Sequence, residues 1–164
     1  MADELIRKPK LDPTASRFAL KIRRSKIHRF GVFAMEAVPK RTRVIEYTGE
    51  RISRHEISRR LEGEFTYIFL LDSYWGIDGA VNGSGAEIIN HSCNPNLEAH
   101  IAKGRIHYVS LREIEAGEEL SVDYSFDASQ DPHECRCGAK NCRGDMRRPA
   151  VRPSRQRANS RPEV

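Results

Sequence analysis

The chain has four cysteines, Cys93, Cys135, Cys137 and Cys142, and the last three form a C-x-C-x4-C cluster. Thiolates are soft ligands, and a structural zinc ion takes four ligands in a tetrahedron. Three ligands so close in sequence can wrap one ion only if a fourth arrives from elsewhere, and Cys93 is the cysteine left to supply it. The alternative within a metal site is that His133 replaces one of these ligands. Two disulfides are the alternative to a metal, although three thiols this close in sequence have poor pairing geometry.

Cys93 lies inside the polar run Asn90-His-Ser-Cys-Asn-Pro-Asn96, which follows a glycine loop at residues 81–86. A loop this dense in hydrogen-bonding side chains suits a binding site, although Asn-Pro also simply makes turns. A metal shared by Cys93 and the cluster would pin the end of the chain against this run, so that a site there is completed by a metal-fastened flap. Tyr47, Tyr67 and Tyr124 each sit at one end of a β-like run. Taken one at a time, such tyrosines more often fill a core than line a site.

The elements that must position these groups are mostly strands. Alternation predicts strands over residues 18–22, 43–47, 66–72, 75–78, 97–102, 105–111 and 119–126, with a hairpin at Lys103-Gly104 and a turn at Ala116-Gly117. One helix is expected, of about ten residues. Ser53 and Glu56 form its S-x-x-E capping box, Ile57 and Leu61 share its apolar face, and Gly63 ends it. There are no internal repeats.

With 164 residues and 38% hydrophobic content, the chain suits one domain with one core. The net charge is +5, and residues 146–164, with six arginines and one acid, account for all of it. The basic balance therefore describes a tail, expected to be solvated, and not the domain. No signal peptide or apolar span is visible, so the expectation is an intracellular protein, cytoplasmic or nuclear and chromatin-associated, with no membrane partner.

Six stretches, taken together and in order, resemble the SET-domain lysine methyltransferases that carry a post-SET zinc segment. They are residues 27–34 (IHRFGVFA), 44–50 (VIEYTGE), 67–69 (YIF) with Ile77-Asp78, 89–96 (INHSCNPN), 117–124 (GEELSVDY), and Cys135-Arg-Cys137 with Cys142. The resemblance implies a mainly β fold of several short sheets with a knot-like threading of the C-terminal part. It implies a SET domain over 17–128 and a four-cysteine zinc post-SET segment over 129–146, while the composition of residues 1–16 reads as a flexible lead-in and that of 147–164 as a basic disordered tail. The implied reaction is methyl transfer from S-adenosylmethionine to a lysine amine in a protein, with a histone tail as the family's common substrate.

The family's catalytic tyrosine falls on Tyr124 and a second channel tyrosine on Tyr47. Its cofactor pocket falls on Phe30, Gly31, Tyr67, Asn90, His91 and Tyr124, with the adenine touched near Arg136. The chain departs from the family in three places. Arg29 stands where a glycine is usual, so a positive φ there would be strained, and its guanidinium could instead reach the cofactor carboxylate. Glu87 and Ile88, also cofactor-pocket positions, replace Arg and Phe. Val122 stands where Phe or Tyr is frequent, and its small size leaves room for two or three methyl groups. Two other readings compete: a non-catalytic SET-like binding module, and a zinc protein making non-specific nucleic-acid contact through its arginine tail.

Overall fold

The computed structural model describes residues 9–61 and 67–149. Ten strands and one helix dominate it, arranged as three small sheets. β1 (Leu20–Arg24) and β2 (Phe30–Ala34) form an antiparallel hairpin. β3 (Arg43–Tyr47) begins the largest sheet, and β4 (Glu50–Ser53) begins the third. After α1 (Arg54–Arg60), β5 (Ile68–Leu70) and β6 (Trp75–Asp78) complete that third sheet in the order β4-β6-β5. β7 (Asn90–His91), β8 (Leu97–Ala102), β9 (Arg105–Ser110) and β10 (Ser121–Val122) join β3 in the order β3-β9-β8-β10-β7.

Most of these elements follow from local sequence. β3, β6 and β8 occupy the predicted residues. Lys103 and Gly104 take φ values of +52° and +71°, the left-handed pair that a two-residue hairpin between right-twisted strands requires. Ser53 caps α1 by accepting the Glu56 N–H at 3.4 Å, which is half of the expected capping box. The other half does not form, because the Glu56 carboxylate turns instead to Arg59 and Arg60. The helix spans seven residues and closes at Leu61, whose N–H returns to the Ile57 carbonyl. Gly63, the expected stop, lies outside the described residues.

Four expectations are revised. β1 starts two residues late, because Ser16 Oγ turns the chain by bonding the Phe18 N–H, while Arg17 N–H pairs with Val44 O of β3. β2 and β4 were not marked by alternation. The expected strand over 119–126 shortens to Ser121–Val122, since Asp123 and Tyr124 leave the sheet for other partners described below. The lead-in is not loose throughout: Asp12 N–H bonds Ser84 O at 2.8 Å, and Leu11 packs on the core.

That core gathers the inner faces of the first two sheets, including Val32, Ile45, Ile89, Leu97, Ile106, Ile114 and Leu120, all at most 1% exposed. Each such aliphatic contributes roughly 1.5–3 kcal/mol by leaving water. β10 is the element that matters most for the site. It lies parallel to both β7 and β8 and between them, which sets Ser121 beside Asn90 and Val122 beside His91 and Leu97. Asn96, 2% exposed, secures it: its Oδ1 accepts the Ser121 N–H at 2.8 Å and its Nδ2 donates to Glu119 O at 2.8 Å. No helix among the described residues is long and apolar enough to cross a membrane.

Candidate functional site

Where β10 ends, Tyr124 N–H donates to His91 Nδ1 at 3.1 Å and Tyr124 Oη donates to Ile89 O at 2.9 Å. The two rings stand 5.3 Å apart. Because His91 Nδ1 accepts, the ring proton sits on Nε2, which lies 3.4 Å from Cys93 Sγ. Burial lowers the His91 pKa, which Asp123 opposes, so the imidazole is neutral and fully committed. Desolvation raises the Tyr124 pKa well above the usual phenol value although the residue as a whole is partly exposed, and its hydroxyl stays protonated.

Asn90 and Glu119 form a second cluster. Asn90 Nδ2 donates to Phe30 O at 2.8 Å and to Glu119 Oε1 at 2.9 Å, and Ser25 Oγ donates to the same carboxylate at 2.8 Å. A Cβ on Gly31 would stand 2.1 Å from Glu119 Oε1, so any side chain there would push that carboxylate away from Asn90. Arg29 takes φ +37°, the strained value anticipated for a non-glycine residue, and its carbonyl accepts from Ser25 N–H at 3.2 Å.

Between these clusters lies a cavity of about 260 Å³ lined by Ile27, His28, Asn90, His91, Tyr124, Glu134, Arg136 and Met146. Tyr47 and Tyr67 are not part of that lining. Tyr47 Oη donates to Tyr67 O at 2.5 Å, and the Tyr47, Phe69 and Tyr108 rings pack at 5.5–6.4 Å. Glu87 faces this aromatic group and not the cavity. Its carboxylate accepts the Gly85 N–H at 2.8 Å, and its charge helps burial to raise the Tyr47 pKa. Ile88 packs against the core.

The four cysteines converge, with their Sγ atoms all within 4.8 Å of one another and the Cys93–Cys135 pair at 3.6 Å. A tetrahedron with metal–sulfur bonds of about 2.3 Å has edges near this length. All four are free thiols, and the His133 ring instead packs at a tilt against Phe126 at 5.0 Å, so neither the disulfide nor the histidine alternative describes the cluster. Backbone N–H groups of Cys93, Arg143 and Gly144 point at sulfurs 3.4 Å away, which suits anionic thiolates. Arg143 also grips Asp123 with two bonds of 2.8 and 3.0 Å, tying the cysteine segment to the residue beside Tyr124.

Sequence reading brought together Tyr124, Asn90, His91, Arg136 and the cysteines, and missed Glu119, Tyr108 and the Asp123–Arg143 pair. Glu119 and Asp123 lie inside the 117–124 stretch already singled out. Tyr108 carried no signal beyond strand alternation.

Comparison with known proteins agrees with this geometry. Residues 29–125 match the SET domain. The chain is similar to Histone-lysine N-methyltransferase, H3 lysine-4 specific, of Saccharomyces cerevisiae, at 38% identity over 135 residues, 74% of this chain and 12% of that protein. It is 42% identical over 132 residues to Histone-lysine N-methyltransferase trr of Drosophila melanogaster, covering 73% of this chain and 5% of that protein. Histone-lysine N-methyltransferase 2D of Homo sapiens is 39% identical over 132 residues, again 73% of this chain and 2% of that protein. The chain thus spans an eighth or less of the length of these relatives. With the matched profile covering more than half of its residues and a folded site joining all six sequence stretches, the chain belongs to the SET-domain family.

Proposed function

We propose that the chain is a protein-lysine N-methyltransferase that uses S-adenosylmethionine, acts on a histone tail at chromatin, and holds its C-terminal segment with one zinc ion. The observation that carries this is the double tie of Tyr124 to the strand before Cys93, through His91 Nδ1 and Ile89 O.

The donor set fits zinc: four thiols at tetrahedral spacing with amide hydrogen bonds to sulfur. The cavity fits a cofactor, with the Asn90 side chain and the Arg136 and Glu134 side chains in its lining. S-adenosylmethionine, when bound, supplies a methyl group on a positively charged sulfur.

The residues then divide the work. A lysine amine, with a pKa of about 10.4, must arrive or become neutral before it attacks. His91 is neutral and engaged on both ring nitrogens, and burial holds the Tyr124 and Tyr47 hydroxyls protonated, so none of the three is a base. Desolvation between the Tyr47, Phe69 and Tyr108 rings lowers the amine's pKa instead, and its proton leaves to solvent. Tyr124 Oη, fixed by Ile89 O, orients the lone pair. The amine forms the N–C bond as the C–S bond breaks, with the electron pair of that bond remaining on sulfur. The methylated amine afterwards gives up a proton.

Calorimetric titration of zinc-loaded protein with S-adenosylhomocysteine tests this. One-to-one binding is expected, weakened roughly a hundredfold or more in Asn90→Ala. Absence of binding by folded protein would replace the enzyme with a non-catalytic module. Contact of the arginine tail with nucleic acid is a further expectation. Its first two arginines, Arg147 and Arg148, are held by Asp145 and Asp127, and the other four lie outside the described residues.

A further inference from the structure

A second cavity, of about 280 Å³, lies between residues 14–17 and one face of the large sheet, and shares no residue with the cavity at Asn90 and His91. Ser16, Arg17, Arg43, Glu46, Arg105 and His107 are among its lining. Its wall from the lead-in is fastened in place. Ser16 bridges Ile45, and the Arg17 N–H donates to Val44 O at 3.0 Å, along the outer edge of β3, the end strand of the sheet.

Register sets which side of the sheet this is. Residues paired across antiparallel strands share a face, and so do those two apart on one strand. Glu46 pairs with His107, and Arg105 is two residues before it, so these three share one face. Tyr47 and Tyr108, each next in sequence to one of them, take the other, so the cavity lies behind the aromatic group. Simple alternation would send Arg43 to that aromatic side with Ile45 and Tyr47. A register shift between Arg43 and Ile45 prevents it: Arg43 pairs with Val109, two residues after His107, and so joins the cavity face.

The lining includes three arginines and one carboxylate. Arg105 spends its fork on Glu46, with bonds of 2.8 and 2.5 Å. Arg17 and Arg43 are exposed, and among the described residues neither side chain has a hydrogen-bond or ion-pair partner. Both act on His107: burial lowers its pKa, Glu46 opposes this, and Arg43, Arg105 and Arg17 add to it. With His107 neutral, the cavity has a surplus of two positive charges and two unspent forks. A phosphoryl group carries nearly two negative charges at neutral pH and three acceptor oxygens, and guanidinium forks match its geometry bidentately. A carboxylate matches only half of that charge.

We propose that this cavity is a binding site for a phosphoryl group, held between the Arg17 and Arg43 guanidiniums on the sheet face turned away from the aromatic group. The bound group ties the 14–17 segment to β3, because it takes one fork from each. Free phosphate and a phosphorylated side chain offer the same chemistry. The site stands whether or not the chain transfers methyl groups.

The test is an NMR titration of the zinc-loaded full chain with inorganic phosphate, and separately with a capped glycine–phosphoserine–glycine peptide, each exchanged for sodium chloride at constant ionic strength. The His107 ring and the Arg17 and Arg43 Nε–H signals are followed. Saturable shifts are expected, with affinity weakened roughly tenfold or more in Arg17→Gln and in Arg43→Gln and unchanged in Lys21→Gln. Tighter binding of the peptide than of phosphate assigns the site to a phosphorylated side chain, and equal or weaker binding assigns it to free phosphate. Wild-type signals that do not move with either probe, or that move without saturating, overturn the proposal, and that result needs no variant to fold. Saturable shifts that persist undiminished in both arginine variants overturn it as well.

Discussion

Glu119 shows how one carboxylate can order a site without touching its ligand. It receives the Ser25 hydroxyl and the Asn90 amide, so it joins the β1–β2 turn to the start of β7. Both Asn90 Nδ2 protons are committed to oxygens, at Phe30 O and at Glu119, which leaves Asn90 Oδ1 as the end presented elsewhere. Glu119→Gln preserves volume but brings an amide that can turn a donor towards Asn90. Binding of S-adenosylhomocysteine should weaken about tenfold while the melting temperature changes little, and calorimetry beside a thermal scan checks both. At this scale the sequence was readable where the residue type itself carries chemistry: four cysteines, and Asn-His before one of them. It was unreadable where the role comes from a partner distant in sequence, as with Glu119 and Ser25.

At the scale of elements, α1 is held by charge as much as by its apolar face. Glu56 bonds Arg59 and Arg60, and Arg60 also reaches Glu50 on β4 and Asp78 on β6. The Arg59 and then the Arg60 hydrogen bonds hold the Glu56 carboxyl down to about 2. A depressed carboxyl stabilises in full above its unfolded value of about 4.3 and loses that contribution as pH falls towards the folded one. Titration of the Glu56 carboxyl by NMR should therefore show a midpoint near 2, with the amides of α1 shifting in step, and Glu56→Gln should remove that acid transition. Elements with a strong local signal, such as the Ser53 cap, the Lys103-Gly104 turn and the β3 alternation, were legible. β2 and β4 were not, because one is buried on both faces for most of its length and the other is an edge strand with polar residues at both ends.

The molecule as a whole is closed by its cysteines. The cluster ties Cys93 to a segment some forty residues later, and Arg143 passes that tie to Asp123 next to Tyr124. Chelating the metal should release residues 129–149 first. Hydrogen exchange is expected to show lost protection there with the β8–β9 hairpin intact, and S-adenosylhomocysteine affinity should fall at least about tenfold, in parallel with zinc measured by elemental analysis. The order of sheets was the least legible property. Nothing in Ser121 and Val122 announces a central position, since a two-residue strand has no periodicity, and its place is set by Asn96 and by the edges of β7 and β8.

That central position also has a cost during synthesis. β7 and β8 are made about thirty and twenty-five residues before the strand that fills the gap between them. At roughly 5–20 residues per second, the nascent chain carries an open slot with two unpaired edges for about 1.5–6 seconds. For that interval the growing polypeptide displays a template for any passing strand, its own or a neighbour's, and only the arrival of Ser121–Val122 removes it.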